Sequence, residues 1–180
     1  PAGTVVIATE SDAASRLLEQ PGMATPWSGT TTLYFASPDS PDDRKMLILR
    51  GDETGPVQTV SVMSDVAPEY APAGESLVSV SVSAESDSPA DGVTDPLEAS
   101  VREQLGGWFA GVDQWRLLRS YRVPFGLPKR DLDPVQAEVI VDDGGRLAEG
   151  LYVCGDHRES PSIQGAMNSG MRVAELICQR

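Results

Sequence analysis

The residues best placed to do chemistry lie close together in the last thirty positions of the chain. Gly155-Asp156 follows Gly150-Leu151-Tyr152-Val153-Cys154, which reads as a short strand, and Ser162, Ile163, Gly165 and Ala166 open a helix expected over 163–178. A strand ending in glycine and a carboxylate, then a short loop, then a helix begun on small side chains lets backbone approach a flat ligand closely. The first N–H groups of a helix lack partners within it and favour negative charge in front of them. Asp156 would repel a pyrophosphate, so a hydroxyl donor is its natural partner.

The other chemistry-bearing residues assemble into nothing comparable. His157 is the only histidine, and a solvated loop position is expected for it over a role in proton transfer or phosphate contact. One histidine and two separated cysteines do not make a zinc site. With no nucleophile elbow, no Ser-His-acid set can be built on His157 either, so no residue is assigned a catalytic role. Trp108, Trp115 and Tyr121 could line a substrate cavity, but aromatic residues in such segments more often fill a core.

The run from Gly150 to Gly170 resembles the C-terminal FAD motif of the monoamine oxidases, phytoene desaturases and protoporphyrinogen oxidases. There a strand ends in Gly-Asp, and a Ser-rich turn precedes Gly-Ala, Ser-Gly and an Ala-rich helix. The resemblance implies that Gly155 and Asp156 meet the ribityl–pyrophosphate region of FAD, and that the backbone at Ile163 reaches the pyrimidine edge of the flavin. It also implies that Ser162, Gly165 and Ala166 lie close by. A helix N-terminus at that edge would stabilise the negative charge a reduced flavin accumulates. Val5-Val6-Ile7-Ala8-Thr9 is similar to the strand by which such enzymes re-enter the FAD domain. The middle of the chain, through Val66–Gly74, Leu77–Val80 and Trp115–Tyr121, resembles a plant and cyanobacterial branch of FAD/NAD(P)-binding oxidoreductases.

The implied activity is flavin-dependent removal of a hydride from a C–H bond of an amine or a hydrocarbon small molecule. The alternative is a non-catalytic binding or assembly module that keeps a degenerate flavoprotein fold. No Gly-x-Gly-x-x-Gly occurs, and Gly106-Gly107 with Gly111 has the wrong spacing for one. The ADP half of FAD therefore has no recognisable site in this chain. The N-terminal FAD-binding portion is expected upstream or from another chain, and the abrupt start at Pro1-Ala2-Gly3-Thr4 also suggests a piece of a longer protein.

The elements that must position the motif can be read from periodicity. Residues 4–9 read as a buried strand, and Ser11-Asp12 as the cap of a short helix ended by Pro21-Gly22. Residues 30–36 and 46–49 read as a hairpin, residues 57–63 and 77–82 as alternating strands with one face on a core. Residues 84–92 read as an acidic loop, and a helix capped by Thr94 or Asp95 is expected to close at Gly106-Gly107. A strand over 115–123 then leads into a Pro-rich loop through Pro134. The fold class is α+β, a mixed and largely antiparallel substrate-domain sheet plus the closing strand–helix unit of a Rossmann-like FAD domain. The expected boundaries are 1–10 for the re-entry strand, 11–140 for the substrate-binding domain and 141–180 for the return to the FAD domain.

Composition narrows the remaining classes. A net charge of -13 over 180 residues repels phosphates and disfavours nucleic acid as a partner. No apolar run is long enough to span a bilayer. Cys154 ends a strand and Cys178 ends the following helix, which carries them too far apart for a disulfide. That points to a reducing compartment, cytoplasmic or chloroplast.

Overall fold

The computed structural model describes residues 2–83, 95–129 and 144–179. The acidic loop expected over 84–92, a cap at Thr94 and the end of the Pro-rich loop at Pro134 fall outside the described residues. The chain is α+β and divides into two compact units, residues 29–124 and residues 1–28 with 125–180.

The 29–124 unit is built on a five-stranded sheet. Its strands are β2 (Trp27–Ser37), β3 (Ile48–Leu49), β4 (Val57–Val62), β5 (Ser76–Ser83) and β6 (Arg116–Pro128), ordered β3-β4-β5-β2-β6. β2 and β5 pair antiparallel over eight positions, from Thr30 opposite Ser83 to Ser37 opposite Ser76. In β5 the apolar residues Val78, Val80 and Val82 turn to one face and are buried, while Ser79 and Ser81 alternate with them. Leu33 and Phe35 of β2 and Val57 and Val60 of β4 join that face. Val57 and Val60 are three apart, and a register irregularity between Val57 and Thr59 brings both to the core side.

Past the single helical turn α2 (Met63–Val66), the cover on this face is α3 (Asp95–Trp108), which contributes Val101 and Leu105, followed by Phe109, Val112 and Trp115. Arg102 ties this helix to the Val112–Trp115 segment. Its guanidinium bonds Glu98 at 2.8 Å, donates to the carbonyls of Val112 and Trp115 at 3.0 Å each, and stacks on Phe35.

Three expectations are corrected here. The segment around 46–49 does not form a hairpin with 30–36: β3 pairs with β4, and β2 sits between β5 and β6. Eight in-register positions against β5 outweigh a two-residue strand, so chain proximity does not decide the neighbour. The helix runs through Gly106-Gly107 to Trp108, because Leu105, Trp108 and Phe109 carry its apolar face onward at a cost of about 1 kcal/mol per glycine. The left-handed turn that ends the segment is made by Gly111 at φ 72°. Finally, β6 continues through Pro124 to Pro128, which an edge strand tolerates.

The second unit contains a three-stranded sheet ordered β1-β8-β7, with β1 (Val5–Ile7), β7 (Arg146–Ala148) and β8 (Leu151–Val153). β1 runs parallel to β8, with Val5 opposite Leu151 and Ile7 opposite Val153, and β7 runs antiparallel. α4 (Ile163–Cys178) packs Val173, with Leu176 and Ile177, against Tyr152 and Cys154. Two further corrections belong here. β1 is not buried, since Val5 and Val6 are 43% and 41% exposed. Nor do Ser11-Asp12 cap α1 (Ser11–Leu17): Glu10 stands at the cap, the Ser11 hydroxyl meets Thr25 Oγ1 at 2.7 Å, and Asp12 accepts from Trp27 Nε1 at 2.7 Å.

Candidate functional site

The site is the passage from β8 into α4. β8 delivers the chain to Gly155 at φ 152°, where a side chain would collide with the His157 ring, 2.6 Å from the position of a Cβ. Residues Asp156–Arg158 make one 3-10 turn, and Ser160 to Ser162 lead into the helix. Three ties hold this loop. The Gly155 N–H donates to Ser169 Oγ at 3.2 Å, Arg172 pairs with Glu159, and Arg172 Nη2 donates to the Arg158 carbonyl at 3.3 Å.

Ser162 caps α4. Its hydroxyl accepts from the Gly165 N–H at 3.0 Å, and its carbonyl accepts from the Ala166 N–H at 3.0 Å. Among the described residues, these two bonds leave the N–H groups of Ile163 and Gln164 as the unpaired donors of the helix start. Ile163 is 84% exposed and Ala166 is exposed, so both stand on the outer surface of the first turn. Gly165 is buried and faces inward. A Cβ there would run into the Ser160 carbonyl, so its own loop already demands a glycine. Gly155, Asp156 and Ser162 are half-buried. The six residues thus fall on one strand-loop-helix passage, with Asp156, Ile163 and Ala166 accessible and Gly165 turned away.

His157 is not the solvated loop residue expected from its polar neighbours. It is 6% exposed, and neither ring nitrogen has a hydrogen-bond partner among the described residues. Burial lowers its pKa, the neighbouring Arg158 charge lowers it further, and Asp156 opposes both. The sequence signal was available in Gly155: a glycine two positions before a histidine leaves room for the ring. Both cysteines are free, as their separation required. Cys154 is buried, and burial pushes its thiol pKa up. Trp115 fills the core between Phe35 and Phe109, whereas Tyr121 is 53% exposed. No metal-holding cluster exists among the described residues, and none of their helices is long and apolar enough to cross a membrane.

Residues 1–178 match the family described as flavin containing amine oxidoreductase, and the chain belongs to that family. No curated protein matches its sequence. Among solved structures it is similar to an oxidoreductase from Methanosarcina mazei, at 18% identity and a TM-score of 0.57, covering 97% of this chain and 43% of that one. Reduced UDP-galactopyranose mutase matches at 14% identity and a TM-score of 0.67, over 93% of this chain and 38% of that one. A candidate protoporphyrinogen oxidase from Exiguobacterium sp. 255-15 matches at 11% identity and a TM-score of 0.66, over 99% of this chain and 42% of that one. The chain therefore spans about two fifths of the length of these structures. At such identities the likeness establishes the fold.

Proposed function

We propose that this chain is the C-terminal portion of an FAD-dependent oxidoreductase that takes a hydride from a C–H bond of an amine or hydrocarbon small molecule. The portion that binds the ADP half of FAD is supplied upstream or by another chain. The observation that carries this reading is the start of α4, where Ser162 caps the helix and leaves the Ile163 and Gln164 N–H groups unpaired among the described residues. The residues fit a flavin on two counts. Two unpaired donors with exposed Ile163 and Ala166 beside them form an open, positively polarised edge. The half-buried Asp156 offers an acceptor to ribityl hydroxyls. Gly155, Asp156, Ser162, Ile163 and Ala166 would hold the flavin end, with Gly165 acting from behind by letting the loop close on Ser160.

When bound, the flavin supplies the hydride acceptor. This chain's residues do the positioning. Arg172 with Glu159, and Ser169 with Gly155, fix the loop against α4 before any ligand arrives. The Ile163 and Gln164 N–H groups are held in place and need no rearrangement to meet negative charge. Free cysteines accord with the reducing compartment we assign to the enzyme.

The test uses the complete flavoprotein. Asp156→Ala should weaken FAD retention by about 1–3 kcal/mol while leaving the fold intact, read by flavin titration beside circular dichroism. Unchanged affinity removes Asp156 from the site. Anaerobic mixing with a panel of amines and unsaturated hydrocarbons should bleach the flavin for one class. Bound flavin that no member of either class reduces would favour the non-catalytic module.

A further inference from the structure

The five-stranded sheet carries no aspartate or glutamate on any strand, in a chain that holds 27 of them. Its only charged side chains are Arg116, Arg119 and Arg122, all on the edge strand β6. The face turned away from Phe35, Val78 and Val80 is a grid of hydroxyls. Thr32 stands opposite Ser81 and Tyr34 opposite Ser79 across β2 and β5, and Thr59 and Ser61 continue the same two rows onto β4. Side chains alternate along each strand, so all six share one face, about 5 Å apart between strands and about 7 Å along them. All six residues are half-buried, and none of the hydroxyls has a hydrogen-bond partner among the described residues. The core and α3 occupy the opposite face.

One row meets a cation. The Tyr34 ring stands edge-on to the Tyr121 ring at 6.0 Å, and the Arg119 guanidinium lies over Tyr121 at 5.6 Å. Arg116 is held by Glu75 at 3.2 Å, and Arg122 is engaged too. Arg119 is exposed and makes no hydrogen bond or ion pair among the described residues. Stacking uses the flat face of a guanidinium and leaves its in-plane N–H donors free for an anion. A strongly acidic chain that keeps this arginine clear of its own carboxylates presents it to an incoming acid.

We propose that this face binds an anionic, oxygen-bearing small molecule. Arg119 takes its carboxylate or phosphate, and the Tyr34–Tyr121 pair packs beside that group. The Thr and Ser hydroxyls pair with its remaining hydroxyl, amine or carbonyl groups, since a hydroxyl both donates and accepts. A hydrocarbon would displace water from the grid and return no hydrogen bond. The inference deepens the proposed function and rests on it only for the reaction: the molecule oxidised carries an acid group, and a bare hydrocarbon is excluded.

Ligand-observed NMR titration of the complete flavoprotein at low salt tests this, with anaerobic flavin bleaching followed for the same compounds. The probes are tyrosine, glucosaminate and glucosamine 6-phosphate, beside their counterparts without the acid, tyrosinamide and glucosamine, and 1-octene as the hydrocarbon. At least one acid should bind, about tenfold more tightly than its counterpart, and the set distinguishes carboxylate from phosphate. Arg119→Met should weaken that acid by about tenfold to a hundredfold, and Ser81→Val by about threefold to tenfold. Arg16→Met, which removes an exposed positive charge in the other unit, should leave affinity roughly unchanged. Thermal midpoints of the three variants should stay near that of the parent. No acid bound, a counterpart or octene bound as tightly, or an affinity untouched by Arg119→Met overturns the proposal. An acid that binds through Arg119 without bleaching the flavin keeps the site and removes the hydride reading. Bleaching by the counterparts or octene that is indifferent to Arg119 does the reverse.

Discussion

His157 is buried with neither ring nitrogen satisfied among the described residues, which disfavours its charged form and lowers its pKa below that of a free histidine, about 6.5. The unfolded chain therefore binds this proton more readily than the folded one. Stability is greatest with the imidazole neutral, above about pH 6.5, and declines as pH falls from there through the lowered folded value. Thermal midpoints measured across that window should drop on the acid side, and His157→Phe should flatten the slope. Asp156 and Arg158 are the charged neighbours acting on it, Arg158 strengthening the trend and Asp156 opposing it. Ser162 is a second residue with a separable effect. Ser162→Ala removes the acceptor for the Gly165 N–H and should cost about 1 kcal/mol, seen as faster amide exchange at the start of α4 and a lower denaturant midpoint.

At the scale of elements, the loop from Gly155 to Ser162 owes its shape to the chain's own packing. The Ser160 carbonyl occupies the place of a Cβ on Gly165, so even Gly165→Ala must push the loop off the helix. The loss should reach roughly 1–3 kcal/mol without flavin, and be larger with it because the displaced loop carries Asp156 and Ser162. A larger substitution at Gly165 consequently reports on loop closure. Contact with the cofactor is better tested at Ala166, which is exposed. Ala166→Leu should leave thermal stability nearly unchanged and weaken flavin binding. In the other unit, Arg102 joins α3 to the Val112–Trp115 segment and to Phe35. Arg102→Met keeps the apolar stem but leaves two carbonyls and Glu98 without their donor. Urea unfolding should register a loss on the order of 2–4 kcal/mol.

At the scale of the whole molecule, each unit has its own apolar cluster, one around Phe35 and Trp115, the other around Tyr152 and Val173. The second is small and is the one that carries the candidate site. The sequence holds no Gly-x-Gly-x-x-Gly motif to cradle the ADP phosphates of FAD, so the proposed contacts of this chain are confined to the helix start and Asp156. The 180-residue chain purified by itself should accordingly be colourless and should not take up flavin when FAD is added. Stoichiometric visible flavin absorbance in that preparation would show that an ADP site exists elsewhere in it.

Sequence alone determined whatever depends on near neighbours. The alternation Val78-Ser79-Val80-Ser81-Val82 placed β5 with one face on a core, because side chains in a strand alternate sides whatever lies beyond them. The run from Gly150 to Gly170 placed a strand, a glycine, a carboxylate and a helix in order, and identified the cofactor class through a resemblance the family match bears out. The separation of Cys154 and Cys178 followed from helix rise alone. Tertiary structure decided the pairings and exposures, which depend on residues distant in the chain. It set β2 between β5 and β6 and gave β3 to β4, since strand neighbours are chosen by long-range register. It carried α3 across Gly106-Gly107, since the core behind Leu105 and Phe109 outweighs two glycines. It buried His157, whose polar neighbours read as a solvated loop, because Gly155 clears space for the ring. It turned Gly165 toward Ser160 and left Ile163 outside, a choice set by the path of the loop and invisible in the order of the residues.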